Sequence, residues 1–481
     1  MLQGTGSHVG KSLLVAGLCR AARRRGLTVR PFKPQNMSNN AAVTMDGGEI
    51  GRAQALQASA AGCEPHTDMN PVLLKPDGPS SAQVVVHGQV RTRCGARDYH
   101  ELKPTLLADV MASFQRLSDQ ADLVLVEGAG SPAEVNLRQG DIANMGFAET
   151  AGVPVALVGD IERGGVVASL IGTHSLLKEH EKKLLKGYIV NKFRGDPSLF
   201  DAAHPMIREQ TGMTSFGVVP WCDAAQMLPA EDSLGLRPSA ERDGKALRIG
   251  VLRTPRLANF DDFDPLFAEP QVAVIIIEAG QAIPGDLDLV ILAGSKATIA
   301  DLAFVREQGW NIDLVAHHRR GGRILGICGG LQMLGTTIDD PAGIEGDPGS
   351  VPGLGLLQVT TILVPRKTLD RVEGHVLPWR ASARGYEMHV GVTAGPDTAR
   401  PMIQFSDRND GALSADGRVM GCYLHGLFAD AGARTAFLTS LGATGAGEDH
   451  DRIVHRALDA LADHLETHLN RDQLLEIAAA R

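Results

Sequence analysis

The chain has 481 residues, which is too long for one hydrophobic core, so we expect two domains. Hydrophobic residues make up 43% of the sequence and charged residues 21%, as in an ordinary soluble globular protein. The formal net charge of −9 argues against a protein that binds nucleic acid broadly, because such a protein needs a positive face.

The six cysteines are scattered and form no CxxC pair, a spacing that suits neither a disulfide framework nor a zinc site. The N-terminus leads directly into a glycine-rich loop, which leaves no room for a targeting segment. The longest apolar runs, such as Val272–Ile277, have the length of a strand and cannot cross a bilayer. We therefore expect a cytoplasmic protein that does not contact membranes.

Residues 1–225 alternate short apolar runs with amphipathic stretches, which predicts a mostly parallel sheet covered by helices on both faces. The first strand candidate, residues 1–3, is shorter than a buried central strand should be, so we expect a clipped strand or a start further upstream. The later strand candidates are 123–126, 153–158, 188–190 and 216–219, and the helix candidates are 11–24, 52–61 and 105–117.

Residues 226–246 lose the apolar rhythm and are predicted to be a linker. A second α/β pattern follows over 247–445. Its strand candidates are 247–252, 272–277, 289–292 and 324–327, and segments 359–364, 385–392 and 420–424 are predicted to complete the same sheet. The tail, 446–481, repeats apolar residues at helical spacing from Ile453 to Ala478. We expect this tail to pack on its own domain.

Residues 4–12 read GTGSHVGKS and join the first strand to a helix. Such a loop can curl its backbone N–H groups around phosphates, Lys11 can supply positive charge and Ser12 can ligate Mg²⁺. The strict pattern has glycine where this chain has Thr5, and the first glycine, Gly4, lies one residue earlier. With Gly10 completing the loop, these residues predict a nucleotide site. The alternative is a plain strand-to-helix turn.

Two acids are candidates for Mg²⁺, which prefers carboxylate and phosphate oxygens. Glu127 ends the apolar strand 123–126 and precedes a glycine turn, where a buried acid needs a partner. Asp46 precedes the helix candidate 52–61, so it is either a second ligand or a helix cap.

Residues 326–335, GICGGLQMLG, place Cys328 in a tight turn between a strand and a helix, as in a nucleophile elbow. His425, at the end of a late strand, is the expected proton carrier. A glycine turn at Gly294 and Ser295 is a candidate oxyanion hole. A buried cysteine and a structural histidine are the alternatives.

These motifs resemble known families. The phosphate loop resembles that of dethiobiotin synthetase, and the cysteine half resembles class I glutamine amidotransferases. Most members of the latter family carry Glu two residues after the histidine, where this chain has Leu427. Glu387 is a candidate to replace it.

Together the halves predict a P-loop ATP-dependent amidoligase followed by a glutaminase that makes ammonia. Residues 33–40, 46–54, 126–134 and 191–196, and the glutaminase half, resemble the cobyric acid synthase family. The resemblance implies use of ATP, Mg²⁺ and glutamine to amidate four peripheral carboxylates (b, d, e, g) of the corrinoid adenosylcobyrinic acid a,c-diamide. It also implies that Asp141 acts at the substrate side and that Asn191 reads the adenine. From the residues alone, Asp141 could equally cap a helix.

Three other readings share part of this pattern. A cobyrinic acid a,c-diamide synthase has similar halves, but residues 36–40 and 141–146 favour the first assignment. A CTP synthase should keep the complete triad. A MinD-like switch ATPase usually has a second lysine early in its loop, and residues 5–9 contain none.

Overall fold

The computed structural model describes residues 1–78, 80–230 and 247–479. The predicted linker 226–246 lies mostly outside the described residues. The strands within residues 1–230 are β1 (Leu2–Gly4), β2 (Val29–Phe32), β3 (Gln35–Met37), β4 (Ala41–Val43), β5 (Glu49–Gly51), β6 (Val72–Pro76), β7 (Ser81–Val86), β8 (Gln89–Gly95), β9 (Leu123–Val126), β10 (Val155–Asp160), β11 (Leu185–Phe193) and β12 (Thr214–Pro220). The helices are α1 (Lys11–Arg24), α2 (Arg52–Ala61), α3 (Ala96–Ser118), α4 (Met145–Ala151), α5 (Val166–Leu176), α6 (Glu179–Lys182) and α7 (Ala203–Thr211).

The second part of the chain is richer in strands. Its strands are β13 (Leu247–Leu252), β14 (Leu257–Ala258), β15 (Val272–Ile277), β16 (Leu289–Leu292), β17 (Gly294–Ser295), β18 (Arg323–Ile327), β19 (Thr337–Asp340), β20 (Gly349–Pro352), β21 (Thr360–Val376), β22 (Ala381–Ala394), β23 (Ile403–Phe405), β24 (Asn409–Asp410), β25 (Ala412–Leu413), β26 (Val419–Cys422) and β27 (Leu424–His425). Its helices are α8 (Asp264–Phe267), α9 (Thr298–Glu307), α10 (Trp310–Arg319), α11 (Gly329–Leu334), α12 (Ala431–Ser440), α13 (His450–His468) and α14 (Arg471–Ala479).

The described residues divide into two compact units. The first unit comprises residues 1–38, 44–230 and 454–479, and the second comprises 39–43 and 247–453. Each unit therefore contains a piece of chain that is remote in sequence from the rest of it.

A parallel sheet forms the centre of the first unit, as the alternating pattern predicts. Strands pair in the order β1-β10-β11-β12, and β2 pairs with β9. A parallel bridge between Leu2 and Glu127 joins β1 to the end of β9. Short β1 therefore lies between longer neighbours, and the carboxyl ends of β1 and β9 meet at one edge of the sheet.

Apolar side chains cover both faces of this sheet. One core cluster includes Phe32, Phe114 and Phe147, whose rings meet at 5.2–5.4 Å between centroids. The other contains α1 and the apolar face of α13, including Leu461 and Leu465. The predicted helices 11–24 and 52–61 and strand 123–126 have the predicted bounds.

The prediction that the C-terminal tail packs on its own domain is wrong, because from Val454 the tail belongs to the first unit. Its leucines pack against α1, where Gly17 leaves them room: a Cβ at residue 17 would lie 2.5 Å from Leu465 Cδ1. Arg20 Nε and Asp459 Oδ1 form an ion pair of 2.9 Å at the same contact. Helical periodicity shows that one face is buried but does not show which surface covers it.

A second parallel sheet forms the centre of the second unit, in the order β15-β13-β16-β18-β26-β25, with β25 antiparallel to its neighbour. The prediction that segments 359–364 and 385–392 belong to this sheet is wrong. They lie in β21 and β22, a long antiparallel pair whose sheet runs β20-β19-β21-β22-β27. The two sheets are directly connected in sequence, because β26 of one sheet is followed after a single residue by β27 of the other.

Candidate active sites

The glycine-rich loop of the first unit has two positions, Gly4 and Gly10, where a side chain would not fit. Gly10 has a φ of +94°, in the left-handed region, immediately before α1 begins at Lys11. A Cβ at residue 4 would lie 2.7 Å from Gly6 O and 2.8 Å from Lys11 Nζ. Gly4 therefore takes the place of the missing glycine at Thr5, and the loop can curl with threonine there.

Lys11 is buried at the centre of this loop. Its Nζ donates to the carbonyl oxygens of Gly6 and Gly130, each at 3.1 Å. The second of these belongs to the turn after β9, so one ammonium joins the loop to the end of the neighbouring strand. Asn191, at the end of β11, donates from Nδ2 to Val9 O at 2.8 Å. The loop thus brings these predicted residues together on one edge of the sheet.

Glu127 follows β9 and is fully buried. Its Oε1 accepts from Ser12 Oγ at 2.8 Å and from Lys33 Nζ at 2.7 Å. Its Oε2 accepts from Gln57 Nε2 at 2.6 Å and from Gln54 Nε2 at 3.4 Å. A buried carboxylate is stable only with such partners, and the lysine compensates its charge.

Ser12 and Glu127 could together hold a magnesium ion. A hydroxyl and a carboxylate oxygen lie 2.8 Å apart there, beside a loop suited to phosphate, and these are ligand types that Mg²⁺ takes. Lys33 and the glutamine Gln57 were not among the residues selected from the sequence. Lys33 opens a run of polar residues, 33–40, and Gln57 lies on α2 one turn after Gln54.

Asp46 lies in different surroundings from those of Glu127. Its carboxylate accepts from Thr67 Oγ1 at 2.5 Å and from Thr67 N at 3.3 Å, with His66 Nε2 at 3.5 Å. Burial acts to raise the pKa of Asp46, but the bonds from Thr67 and Thr44 lower it overall. Asp46 therefore connects its own loop to the segment that contains Thr67, and it does not cap helix α2.

Asp141 stabilises the turn that leads into α4. Its side chain accepts from the backbone N of Ala143, Asn144 and Gly146, at 2.8, 3.0 and 3.0 Å. The capping alternative from the sequence therefore describes its local bonds. Asp141 also acts electrostatically on Lys103, where burial lowers the lysine pKa and Asp141 opposes the shift.

Cys328 of the second unit lies at a strained strand-to-helix turn. It joins β18 to α11 with φ +53° and ψ −109°, a conformation that non-glycine residues rarely adopt. Gly326 and Gly330 make the turn possible, because a Cβ at residue 330 would lie 1.9 Å from Leu292 O. The cysteine is buried, and its Sγ lies 3.5 Å from Met388 O. The structure therefore has, at Cys328, the strained strand-to-helix turn that the sequence predicts.

His425 lies beside Cys328 and is oriented by Asp262. Its Nδ1 and Asp262 Oδ2 are 2.7 Å apart, and Asp262 Oδ1 accepts from Gly426 N at 2.7 Å. Burial acts to lower the pKa of His425, but Asp262 and then Cys328 raise it to about 10. Asp262 and Cys328 thus both act on His425, and both oxygens of the Asp262 carboxylate are used.

Glu387 is not in contact with His425 in this arrangement, contrary to the suggestion from the sequence. Its carboxylate forms an ion pair with Arg408, and burial raises its pKa against the effect of that arginine. The residue pairs across the strands with Leu424, whereas its neighbour Tyr386 pairs with His425. Alternation of side chains between the faces of a strand therefore turns Glu387 away from the histidine.

The predicted oxyanion turn lies next to this triad. A Cβ at residue 294 would lie 3.2 Å from His425 Cε1, so Gly294 permits the close approach of the histidine. The backbone N of Ser295 lies near Gly329, the first residue of α11, since a Cβ there would meet it at 2.9 Å. Ser295 Oγ instead donates to Asp301 Oδ2 at 2.6 Å. The backbone of Ser295 is thus the group available as a donor near Cys328.

Two further residues complete the site and were missed from the sequence. Gln332, on α11, accepts from Thr298 Oγ1 at 3.0 Å and donates to Tyr423 OH at 3.1 Å, which fixes the helix behind the cysteine. His389 stacks on Tyr423 with 3.8 Å between ring centroids. Burial, with a further effect of His425, lowers the pKa of His389 to about 4, so it is neutral. Gln332 lies within the motif 326–335 and His389 two residues after Glu387, but neither side chain was given a role from the sequence.

Comparison with known proteins assigns a family to each half of the chain. Residues 1–234 match the family model of the CobQ/CobB/MinD/ParA nucleotide binding domain. Residues 248–433 match that of the CobB/CobQ-like glutamine amidotransferase domain. The chain is therefore a glutamine-dependent amidotransferase with a nucleotide-binding domain, and among its described residues no helix is long and apolar enough to cross a membrane.

Full-length relatives define the family more narrowly. The cobyric acid synthases of Cereibacter sphaeroides, Rhodobacter capsulatus and Bradyrhizobium diazoefficiens are 59%, 58% and 57% identical to it. Each alignment covers 99% of this chain and 99% of the relative. The chain belongs to the cobyric acid synthase family.

Proposed function

We propose that this protein converts adenosylcobyrinic acid a,c-diamide to adenosylcobyric acid by amidating its four peripheral carboxylates b, d, e and g. ATP activates each carboxylate, and glutamine supplies the nitrogen. The observation that supports the proposal is the presence, in one chain of this family, of a Cys328 triad and a buried Glu127 beside a phosphate loop. We expect the reaction to take place in the cytoplasm.

The first unit activates the carboxylate. A carboxylate does not react with ammonia because oxide is a poor leaving group, so the substrate oxygen first attacks the γ-phosphorus of ATP. An acyl phosphate forms and ADP leaves. Ammonia then attacks the acyl carbon to give the amide, and inorganic phosphate leaves with a proton of the ammonia. Lys11 and the N–H groups of the loop compensate the phosphate charge, with Gly4 and Gly10 allowing the backbone to curl. Asn191, whose amide lies on the loop, is expected to contact the adenine.

Mg²⁺ would be held by Ser12 and Glu127, and it would supply charge compensation to the phosphate oxygens when bound. Lys33 forms an ion pair with the same carboxylate oxygen of Glu127 that Ser12 bonds. Asp46 was the third candidate ligand. Its bonds to Thr67 favour a structural role, so we assign the ion to the first two residues. We propose that Asp141, with Lys103 nearby, acts where the corrinoid substrate binds.

The second unit releases ammonia. His425 takes the proton of Cys328, and Sγ attacks the carboxamide carbon of glutamine to form a tetrahedral oxyanion beside Ser295 N and the Gly294 turn. His425 then gives the proton to the nitrogen, ammonia leaves, and a thioester remains. Water hydrolyses the thioester to glutamate and restores the thiol. Asp262 keeps the imidazole in the required tautomer throughout.

Activity with defined substrates tests this proposal. The purified chain with Mg-ATP, glutamine and adenosylcobyrinic acid a,c-diamide should give successive amidated products, each consuming one ATP, by mass spectrometry. Dethiobiotin precursors and UTP should remain unchanged. Two amidations of unamidated cobyrinic acid would assign the protein to the a,c-diamide synthases instead. An unchanged corrinoid, with ATP and glutamine still turned over, would refute the substrate assignment but keep the amidoligase chemistry.

A further inference from the structure

Asn259 stands at the start of the segment that carries the triad aspartate. It follows β14 and has a φ of +52°, a left-handed conformation that asparagine tolerates better than most residues. It is buried, and its carbonyl accepts from Asp262 N at 3.2 Å. The position of Asn259 therefore fixes where the turn presents the carboxylate that orients His425.

The amide of Asn259 makes two further bonds. Its Nδ2 donates to Tyr386 OH and to Ala41 O, each at 2.8 Å. A primary amide has two protons, so both are used. An aspartate of the same shape has no proton to donate when ionised. The chemistry of this position, and not its size alone, is therefore required for both contacts.

Tyr386 in turn contacts the catalytic histidine. Its ring stacks on the imidazole of His425 with 5.1 Å between centroids and 15° between planes. The imidazole is thus held by Asp262 at its Nδ1 edge and by Tyr386 on its face. Asn259 is bonded to both of these supports, although it does not touch the histidine.

Ala41 connects this arrangement with the other half of the sequence. It lies in strand β4, within residues 39–43, which belong to the second unit, whereas residue 38 before it and residue 44 after it belong to the first. Only a few residues earlier in the same stretch, Lys33 bonds the carboxylate of Glu127. The carbonyl that Asn259 holds is therefore eight residues along the chain from the lysine that bonds Glu127.

We propose that Asn259 is a positioning residue for glutamine hydrolysis, which links segment 39–43 to the histidine through Tyr386 and Asp262. The inference rests on the proposed glutaminase chemistry at Cys328. It deepens that function, because it identifies how occupancy of the nucleotide site would change the rate at the cysteine. Glutamine hydrolysis should be slow alone and faster with Mg-ATP and corrinoid, and Asn259 should be required for the difference.

The test uses Asn259→Asp, which keeps the shape and loses the donor, and Tyr386→Phe, which keeps the ring and loses only the hydroxyl. Glutamate release is measured with and without Mg-ATP and corrinoid. Removal of two neutral hydrogen bonds should lower kcat by about tenfold in Asn259→Asp, with KM for glutamine unchanged. Both variants should lose the stimulation by the other substrates. Amidation from ammonium, which does not use the triad, should stay at the wild-type rate.

Several outcomes separate the explanations. If both variants keep the stimulation within twofold of wild type, the positioning role is refuted and the glutaminase assignment stands. If Asn259→Asp loses ammonium-dependent amidation as well, its fold is damaged, and Tyr386→Phe decides the question. A wild-type chain that releases no glutamate refutes the proposed function and this inference together. A fall in affinity for glutamine without a fall in kcat would make Asn259 a substrate-binding support instead.

Discussion

Replacing Asp262 by asparagine tests how the triad works. The variant has nearly the same shape but no charge, and an amide cannot accept from both His425 Nδ1 and Gly426 N as the carboxylate does at 2.7 Å. The NH2 group of the asparagine therefore faces the N–H of Gly426 or of His425, or the imidazole is forced into the other tautomer. In either arrangement the proton carrier is misplaced with respect to Cys328.

The magnitude follows from burial. Both side chains of the pair are 1% exposed, so solvent cannot replace the lost interaction. In a Ser-His-Asp triad, replacing the aspartate by asparagine leaves the imidazole in the wrong tautomer and lowers kcat by about 10⁴-fold, so we expect a fall of roughly 10³- to 10⁴-fold in the rate of glutamine hydrolysis. The assay is glutamate release at saturating glutamine, with amidation from ammonium as the control for an intact fold.

Glu387→Gln provides a matched control, because it removes a buried carboxylate from the strand beside His425. Its partner is Arg408, so we expect a loss of less than about tenfold in glutamine hydrolysis from a neutral replacement. The reasoning is wrong if Asp262→Asn retains wild-type activity within tenfold while Glu387→Gln loses it. The acid that orients the histidine would then be Glu387.

Three other changes address the remaining parts of the molecule. Cys328→Ala should abolish synthesis from glutamine and spare synthesis from ammonium, and an equal loss with both nitrogen donors would contradict the division of labour. Lys11→Ala should slow ATP turnover with either donor by about 10²- to 10³-fold, as for other charge-stabilising groups, while glutamate release alone survives. The pKa of His425 is about 10 in the folded protein and 6.5 when unfolded. The contribution of His425 to the free energy of unfolding is therefore fully present below pH 6.5 and is lost as the pH rises through 10. Between these values the contribution of His425 to the free energy of unfolding falls by roughly 1 kcal/mol for each unit that the pH rises. Denaturant unfolding of wild type and Asp262→Asn should show that slope only in wild type.

Local signals in the sequence were sufficient for the parts of the fold that depend on neighbours in the chain. The bounds of α1 and β9 follow from periodicity and the glycines beside them. The elbow at Cys328 follows from glycines that permit a strained turn. The same holds for the loop around Lys11, where Gly4 takes the place of the glycine missing at residue 5.

Features that depend on contacts between distant residues could not be predicted in this way. Asp262 lies 163 residues before His425, and nothing in its own surroundings distinguishes it from the adjacent Asp261. The sequence predicts β21 and β22 as strands of the parallel sheet, although they lie in a separate sheet. Alternation of side chains identifies a strand but does not identify the strand beside it. For the same reason the leucines of α13 indicated a buried face but not the surface of α1 that covers it.

The packing of the C-terminal helix on the first unit has a consequence for synthesis of the protein. During translation the nucleotide-binding unit lacks part of its apolar cover until Leu458, Leu461 and Leu465, which follow the second unit in sequence, emerge from the ribosome. The glutaminase unit, complete by residue 453, can fold before the unit that precedes it in sequence. A gene cut between the two halves would therefore give an N-terminal product with an exposed apolar surface on α1, whereas the same fragment co-expressed with residues 447–481 should recover its cover.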